Sequence, residues 1–232
     1  MKTGNNQPTE TGVFKDIVLL VIASLALGWL TSNILESKPQ ETKRTIPTLR
    51  TDTVVDVRGK KALFIGDSHT ANHNYGWQVQ LCKATGLIQN NISVGGKTTS
   101  WMLTQAQLHV NPNYDYCFIY GGANDMYNSH ISAISAFNNI QYMVNLCNYK
   151  GVKPVVLTGF DYAVCTRTSN KAYPGKGAEL QRLLLGQLQG ATVVDTRVVY
   201  RSDCGDELCH MNYSGHRKMS EAVILACKFK RY

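Results

Sequence analysis

Charge is scarce in this chain. Asp, Glu, Lys and Arg make up 17% of 232 residues, well below the quarter or so usual in soluble domains, while 44% of the residues are hydrophobic. That balance excludes wholesale disorder. The net charge of +8 has no focus. From Gly59 onward 17 Lys and Arg stand against 10 Asp and Glu, and the nearest thing to a cluster, Lys228, Lys230 and Arg231, reads as a solvated helix end. No nucleic-acid partner is therefore expected, although an acidic substrate or an anionic surface is compatible with the surplus. There is no internal repeat. There is also no CxxC pair among the seven cysteines, an odd number, so neither a disulfide framework nor a zinc ribbon is signalled. Cys204 and Cys209 lie near His210 and His216, but their spacing matches no zinc pattern, and no metal or cofactor is expected. A local Cys204 to Cys209 disulfide stays open. Cys117 lies in an apolar run and reads as a small buried hydrophobe.

Long apolar runs are absent too, except for one. Residues 1–12 are polar and are expected to be disordered. Between Asp16 and Glu36 lie 19 uncharged residues, which as a helix would extend about 28 Å, enough to cross a bilayer. Residues 13–35 are therefore expected to be a single-pass membrane anchor, with Trp29 at an interface. Its orientation is contested within the sequence. Lys2 and Lys15 precede the span whereas Lys38, Lys43, Arg44 and Arg50 follow it, which by charge places the large domain inside, while the more familiar arrangement of an N-terminal anchor places it outside. Residues 36–58 read as a tether, and 59–232 as one domain.

Within that domain strand and helix signals alternate. Strands are expected around Ala62–Ile65, Gln89–Val94, Tyr114–Tyr120, Lys153–Thr158 and Ala191–Val194, with helices over Tyr75–Thr85, Ile131–Tyr149, Glu179–Leu188 and Tyr213–Lys228. Such alternation implies right-handed crossovers and a parallel sheet of about five strands covered on both faces, a three-layer α/β/α sandwich.

The first strand ends in Gly66-Asp67-Ser68-His69. A serine leaving a strand toward a helix exposes its hydroxyl at the carboxyl edge of the sheet, where open α/β folds keep their ligand sites, and near a helix N-terminus. Three further blocks follow predicted strands in order: Asn91 to Thr99 with Gly95-Gly96, then Gly122-Ala123-Asn124-Asp125, then Asp206-Glu207-Leu208-Cys209-His210. Together, over roughly residues 60–226, they resemble the SGNH hydrolases, the superfamily of the GDSL esterases and lipases, with His69 where many members carry Leu.

The resemblance implies a flavodoxin-like sheet and a serine esterase working through an acyl-enzyme. Ser68 is a poor nucleophile until a base takes its proton, the role that falls to His210, and a carboxylate must orient that imidazole. Glu207 stands three residues before His210, where the family has Asp, and Asp206 stands four before it; spacing favours Glu207. The resemblance further implies an oxyanion hole made by the backbone N–H groups of Ser68 and Gly96 and the Asn124 amide. His216 is the rival histidine, but its place after Ser214-Gly215 suggests a structural role in the last helix. Trp101, Tyr127 and His130 are candidates for lining the cleft, and the long 160–177 connection reads as a binding loop. The expected substrate is an ester, an O-acetyl group on a glycan or a lipid ester. The alternative is an envelope or virion component that keeps this fold without catalytic use.

Overall fold

A computed structural model describes residues 53–71, 74–127, 131–159, 174–205 and 210–232. The expected anchor and most of the tether lie outside them. No helix among the described residues is long and apolar enough to cross a membrane.

Five strands form one sheet: β1 (Lys61–Gly66), β2 (Ile88–Asn91), β3 (Tyr116–Tyr120), β4 (Lys153–Leu157) and β5 (Thr192–Val194). Their spatial order is β2-β1-β3-β4-β5 and every pair is parallel. Between them run α1 (Trp77–Thr85), α2 (Thr99–His109), α3 (Ala123–Tyr127), α4 (Ala133–Tyr149) and α5 (Pro174–Gln187), and α6 (Tyr213–Cys227) closes the chain after a short 3₁₀ turn at Arg201–Asp203. The register pairs Phe64 with Phe118 and Ile65 with Ile119, so alternate residues of neighbouring strands point the same way.

One face presents Phe64, Phe118 and Tyr120 to Trp77 and Leu81 of α1 and to Met219 and Val223 of α6. Phe64 stacks on Phe118 at 4.8 Å and meets the Trp77 edge at 5.5 Å. The other face presents Leu63, Ile65 and Ile119 to Met102 of α2, Ile140 and Met143 of α4 and Leu184 of α5. Each of these fully buried side chains is worth about 1.5–3 kcal/mol relative to exposure, which is why β1 and β3, apolar on both faces, sit at the centre. The order reverses between β1 and β3. In a doubly wound sheet that switch point opens a crevice beyond the carboxyl ends of the strands, and Gly66 and Tyr120 end there side by side.

Most elements match the sequence reading to within a few residues, with several exceptions. The helix expected from Glu179 begins at Pro174, and β2 ends at Asn91 rather than Val94. Helices α2 and α3 were not anticipated. In α2 only Thr99, Met102 and Ala106 are buried while Leu108 is exposed, so its apolar residues trace no single stripe. At the start of the domain, Val57 is fully buried and Val55 bridges Phe229, so residues 53–58 pack on the domain.

Candidate active site

The Ser68 turn is built from its own backbone. The N–H groups of Thr70 and Ala71 both donate to the Asp67 carbonyl, at 3.0 and 2.9 Å, and the His69 N–H donates to Asp67 Oδ1 at 3.0 Å. This is an Asx-type turn. Helix α1 begins only at Trp77, so among the described residues no helix starts at the serine, contrary to expectation, and the turn itself presents the hydroxyl. Gly66 is required by space. A Cβ there would lie 2.6 Å from the Tyr120 carbonyl oxygen and 2.7 Å from Thr70 Oγ1.

His210 arrives from the other end of the chain. Its carbonyl accepts from Gly205 N–H at 2.8 Å, Asn212 N–H donates to the Asp203 carbonyl at 2.8 Å, and Cys204 bridges Met211. Asn212 then caps α6, its Oδ1 accepting from Gly215 N–H at 3.1 Å. Beneath this loop the buried Asp203 carboxylate accepts from Lys218 Nζ at 2.7 Å, Tyr200 N–H at 2.8 Å and Ser214 Oγ at 2.9 Å. Burial alone would raise the Asp203 carboxyl, but those three donors outweigh it and hold it below the ordinary value. The result is that His210 Nε2 lies 2.9 Å from Ser68 Oγ. Glu207 and Asp206 both lie outside the described residues, as does Cys209; Cys204 is disulfide-bonded, its partner also outside them.

The Gly95-Gly96 loop closes the third side. A Cβ on Gly95 would touch Ser68 Cβ at 3.6 Å, so the loop passes directly beside the serine. Gly96 is exposed and has φ +75, a left-handed conformation that favours glycine. Asn124, at the start of α3, donates from Nδ2 to the Lys97 carbonyl of this loop at 3.0 Å and more distantly to Asp67 Oδ2 at 3.4 Å. Asp67 is fully buried. Burial first, and then the nearby Asp125 carboxylate, push its carboxyl up to about 7, against the lowering effect of the His69 N–H. Asp125 is itself raised by burial, although Thr99 donates to it twice.

The surroundings are aromatic. The buried His69 ring lies 5.1 Å from the His210 ring and 5.6 Å from Tyr120, so the residue that stands where many members carry leucine packs beside the histidine. Trp101 is half buried against the core, with Lys97 Nζ 5.7 Å above its ring. Tyr127 ends α3 and His130 lies outside the described residues. His216 is buried in α6, where its Nδ1 accepts from Trp77 N–H at 3.2 Å; it ties α6 to α1. No group of three or more His, Cys, Asp or Glu among the described residues is placed to hold a metal. Asp67, Thr99 and Asp125 lie within the blocks read from the sequence, which gave them no role of their own, and Asn139 lies outside those blocks.

A family model for the GDSL-like lipase/acylhydrolase family matches residues 64–218. No curated protein sequence matches. Among solved structures the chain is similar to Axe2, an acetylxylan esterase from Geobacillus stearothermophilus, with a TM-score of 0.62 at 16% identity over 76% of this chain and 98% of that one. It is similar also to a member of the lipolytic G-D-S-L family from Veillonella parvula, with a TM-score of 0.60 at 14% identity over 72% and 97%. A third is LAE5, an alpha/beta hydrolase enzyme from the metagenome of Lake Arreo, with a TM-score of 0.61 at 17% identity over 74% and 97%. At such identities the likeness shows the fold. The family match spans more than half of the chain, and the protein thus belongs to the GDSL-like lipase/acylhydrolase family of the SGNH superfamily, serine hydrolases that act on carboxylic esters.

Proposed function

We propose that the protein is a membrane-tethered esterase that removes short acyl groups, with Ser68 as nucleophile and His210 as general base. The observation that carries this reading is the 2.9 Å contact between Ser68 Oγ and His210 Nε2, at the carboxyl edge of the sheet and beside the Gly95-Gly96 loop. His210 Nε2 takes the hydroxyl proton as Ser68 Oγ bonds to the ester carbonyl carbon, and the electron pair moves onto the carbonyl oxygen. That oxyanion is met by the N–H groups of Ser68 and Gly96 and by the Asn124 amide, whose long 3.4 Å contact to Asp67 is the one it can exchange. Collapse expels the alcohol, which leaves with the proton held on His210. Water, deprotonated by His210, then cleaves the acyl-Ser68 ester and regenerates both groups. Glu207, or Asp206 in its place, orients the imidazole from the Nδ1 side.

A short acyl group on a sugar is favoured by the similarity in fold to an acetylxylan esterase, and residues 13–35 supply the membrane tether. The disulfide at Cys204 supports placing the domain on the oxidising, external side of that membrane, against the charge bias of the flanks. The alternative of a non-catalytic envelope component has no such observation in its favour. The test is hydrolysis by the full chain of a series of acetyl, butyryl and palmitoyl p-nitrophenyl esters and of acetylated oligosaccharides. Preference for acetyl esters and release of acetate from sugars is expected; preference for palmitoyl esters would make it a lipase, and no turnover of any ester would overturn the reading.

A further inference from the structure

We infer that Thr99, gripped by Asp125 and Asn139, is a positioning residue that fixes the Gly96 N–H and the Asn124 amide relative to one another. The inference rests on the esterase reading above. It starts from a problem of geometry. The two donors assigned to the oxyanion come from different places, Gly96 from an exposed glycine-containing loop and Asn124 from the short helix α3. Preorganised donors lower a barrier only if they stand still before charge develops, and a left-handed glycine in an exposed loop does not hold itself still.

The structure joins the two pieces through consecutive residues. Asn124 Nδ2 donates to the Lys97 carbonyl, one residue beyond Gly96, at 3.0 Å. Its neighbour Asp125 accepts from the Thr99 N–H on Oδ2 at 2.9 Å and from Thr99 Oγ1 on Oδ1 at 2.5 Å. Both Thr99 and Asp125 are fully buried. From the far side Asn139 of α4 donates from Nδ2 to Thr99 Oγ1 at 3.0 Å and to Ser100 Oγ at 3.2 Å. The Thr99 hydroxyl therefore donates to α3 and accepts from α4, so that both helices grip the end of the loop through it. A carboxylate sealed from water keeps its orientation only while its donors are in place, so the loop and α3 hold each other.

The central variant is Thr99→Val in the full chain, which keeps the shape and the backbone N–H while deleting both hydroxyl links. Steady-state hydrolysis of p-nitrophenyl acetate should show kcat lowered by about ten- to a hundredfold, between the cost of a misplaced donor and of a lost one, with KM changed less than about twofold. Thr99→Ser, which restores the hydroxyl, should recover most of that loss. The half-buried Asn139→Ala should lower kcat a few fold by the same route, and fluorophosphonate labelling should slow in parallel, since its phosphoryl oxygen uses the same donors. An unchanged kcat in Thr99→Val, or a rise in KM alone, would overturn the inference and leave the esterase reading standing. So would a Thr99→Val chain that no longer folds, if Asn139→Ala keeps wild-type kcat. Absence of hydrolysis by the wild type would overturn both.

Discussion

Replacing Asp67 by asparagine should remove a pH dependence of stability that this site creates. The Asp67 carboxyl is fully buried and held up to about 7, against 3.8 for an unperturbed aspartate. Between those values the native state keeps a proton that the unfolded chain releases, so every rise in pH favours unfolding. The stabilisation from this group is fully present below 3.8 and is lost as pH climbs through about 7. At about 1.4 kcal/mol per pH unit, the gap amounts to about 4 kcal/mol. Asp125, raised in the same direction, adds to the trend, whereas Asp115, Asp195 and Asp203, all held low, act only in strong acid, where their contribution is lost. Asparagine keeps the Oδ1 acceptor for the His69 N–H but turns an amide donor toward Asn124 Nδ2, a cost independent of pH. The readout is therefore the slope. Urea unfolding at pH 5 and pH 8 should show the wild type markedly less stable at the higher pH and Asp67→Asn with a clearly shallower slope, the remainder coming from Asp125. A wild-type stability that is level or rising over that interval, or an undiminished slope in Asp67→Asn, would show that the Asp67 carboxyl is not held protonated in the native state.

Other outcomes follow from the same geometry. Asn124→Ala should lower kcat by about a hundred- to a thousandfold with little change in KM in ester hydrolysis, the usual cost of one oxyanion donor. Gly66→Ala pushes a methyl group to 2.6 Å from the Tyr120 backbone oxygen, and urea unfolding should show a loss of about 1–3 kcal/mol together with reduced activity as the Ser68 turn shifts. Glu207→Gln should depress kcat strongly and Asp206→Asn mildly if Glu207 orients His210, since an amide holds the ring in the wrong tautomer; the reverse ranking would transfer the role to Asp206.

The sheet was legible because its signals are local. Leu63-Phe64-Ile65 and Cys117-Phe118-Ile119 are apolar at every position, as strands covered on both faces must be, and each ends in glycine and polar turn residues. Helix α2 was hidden for the opposite reason: it buries Thr99, a polar residue, and exposes Leu108, so its periodicity is blurred. The serine and histidine were legible from the order of four short blocks, which is a property of the chain. What holds the blocks together is a property of space. The Thr99 grip spans 26 residues to Asp125 and 40 to Asn139, and nothing in the spacing of those residues marks them. The placement of Ser68 in an Asx-type turn rather than on a helix N-terminus was equally out of reach, because Gly-Asp-Ser-His suits either.

In the proposed mechanism Ser68, activated by His210, carries the acyl group. Intact-mass and peptide mass spectrometry of the full chain after reaction with a fluorophosphonate reads this directly. One adduct is expected, located on Ser68, absent in Ser68→Ala and formed far more slowly in His210→Ala, with ester hydrolysis lost in step. An adduct on another residue, or ester hydrolysis that survives Ser68→Ala, would contradict it.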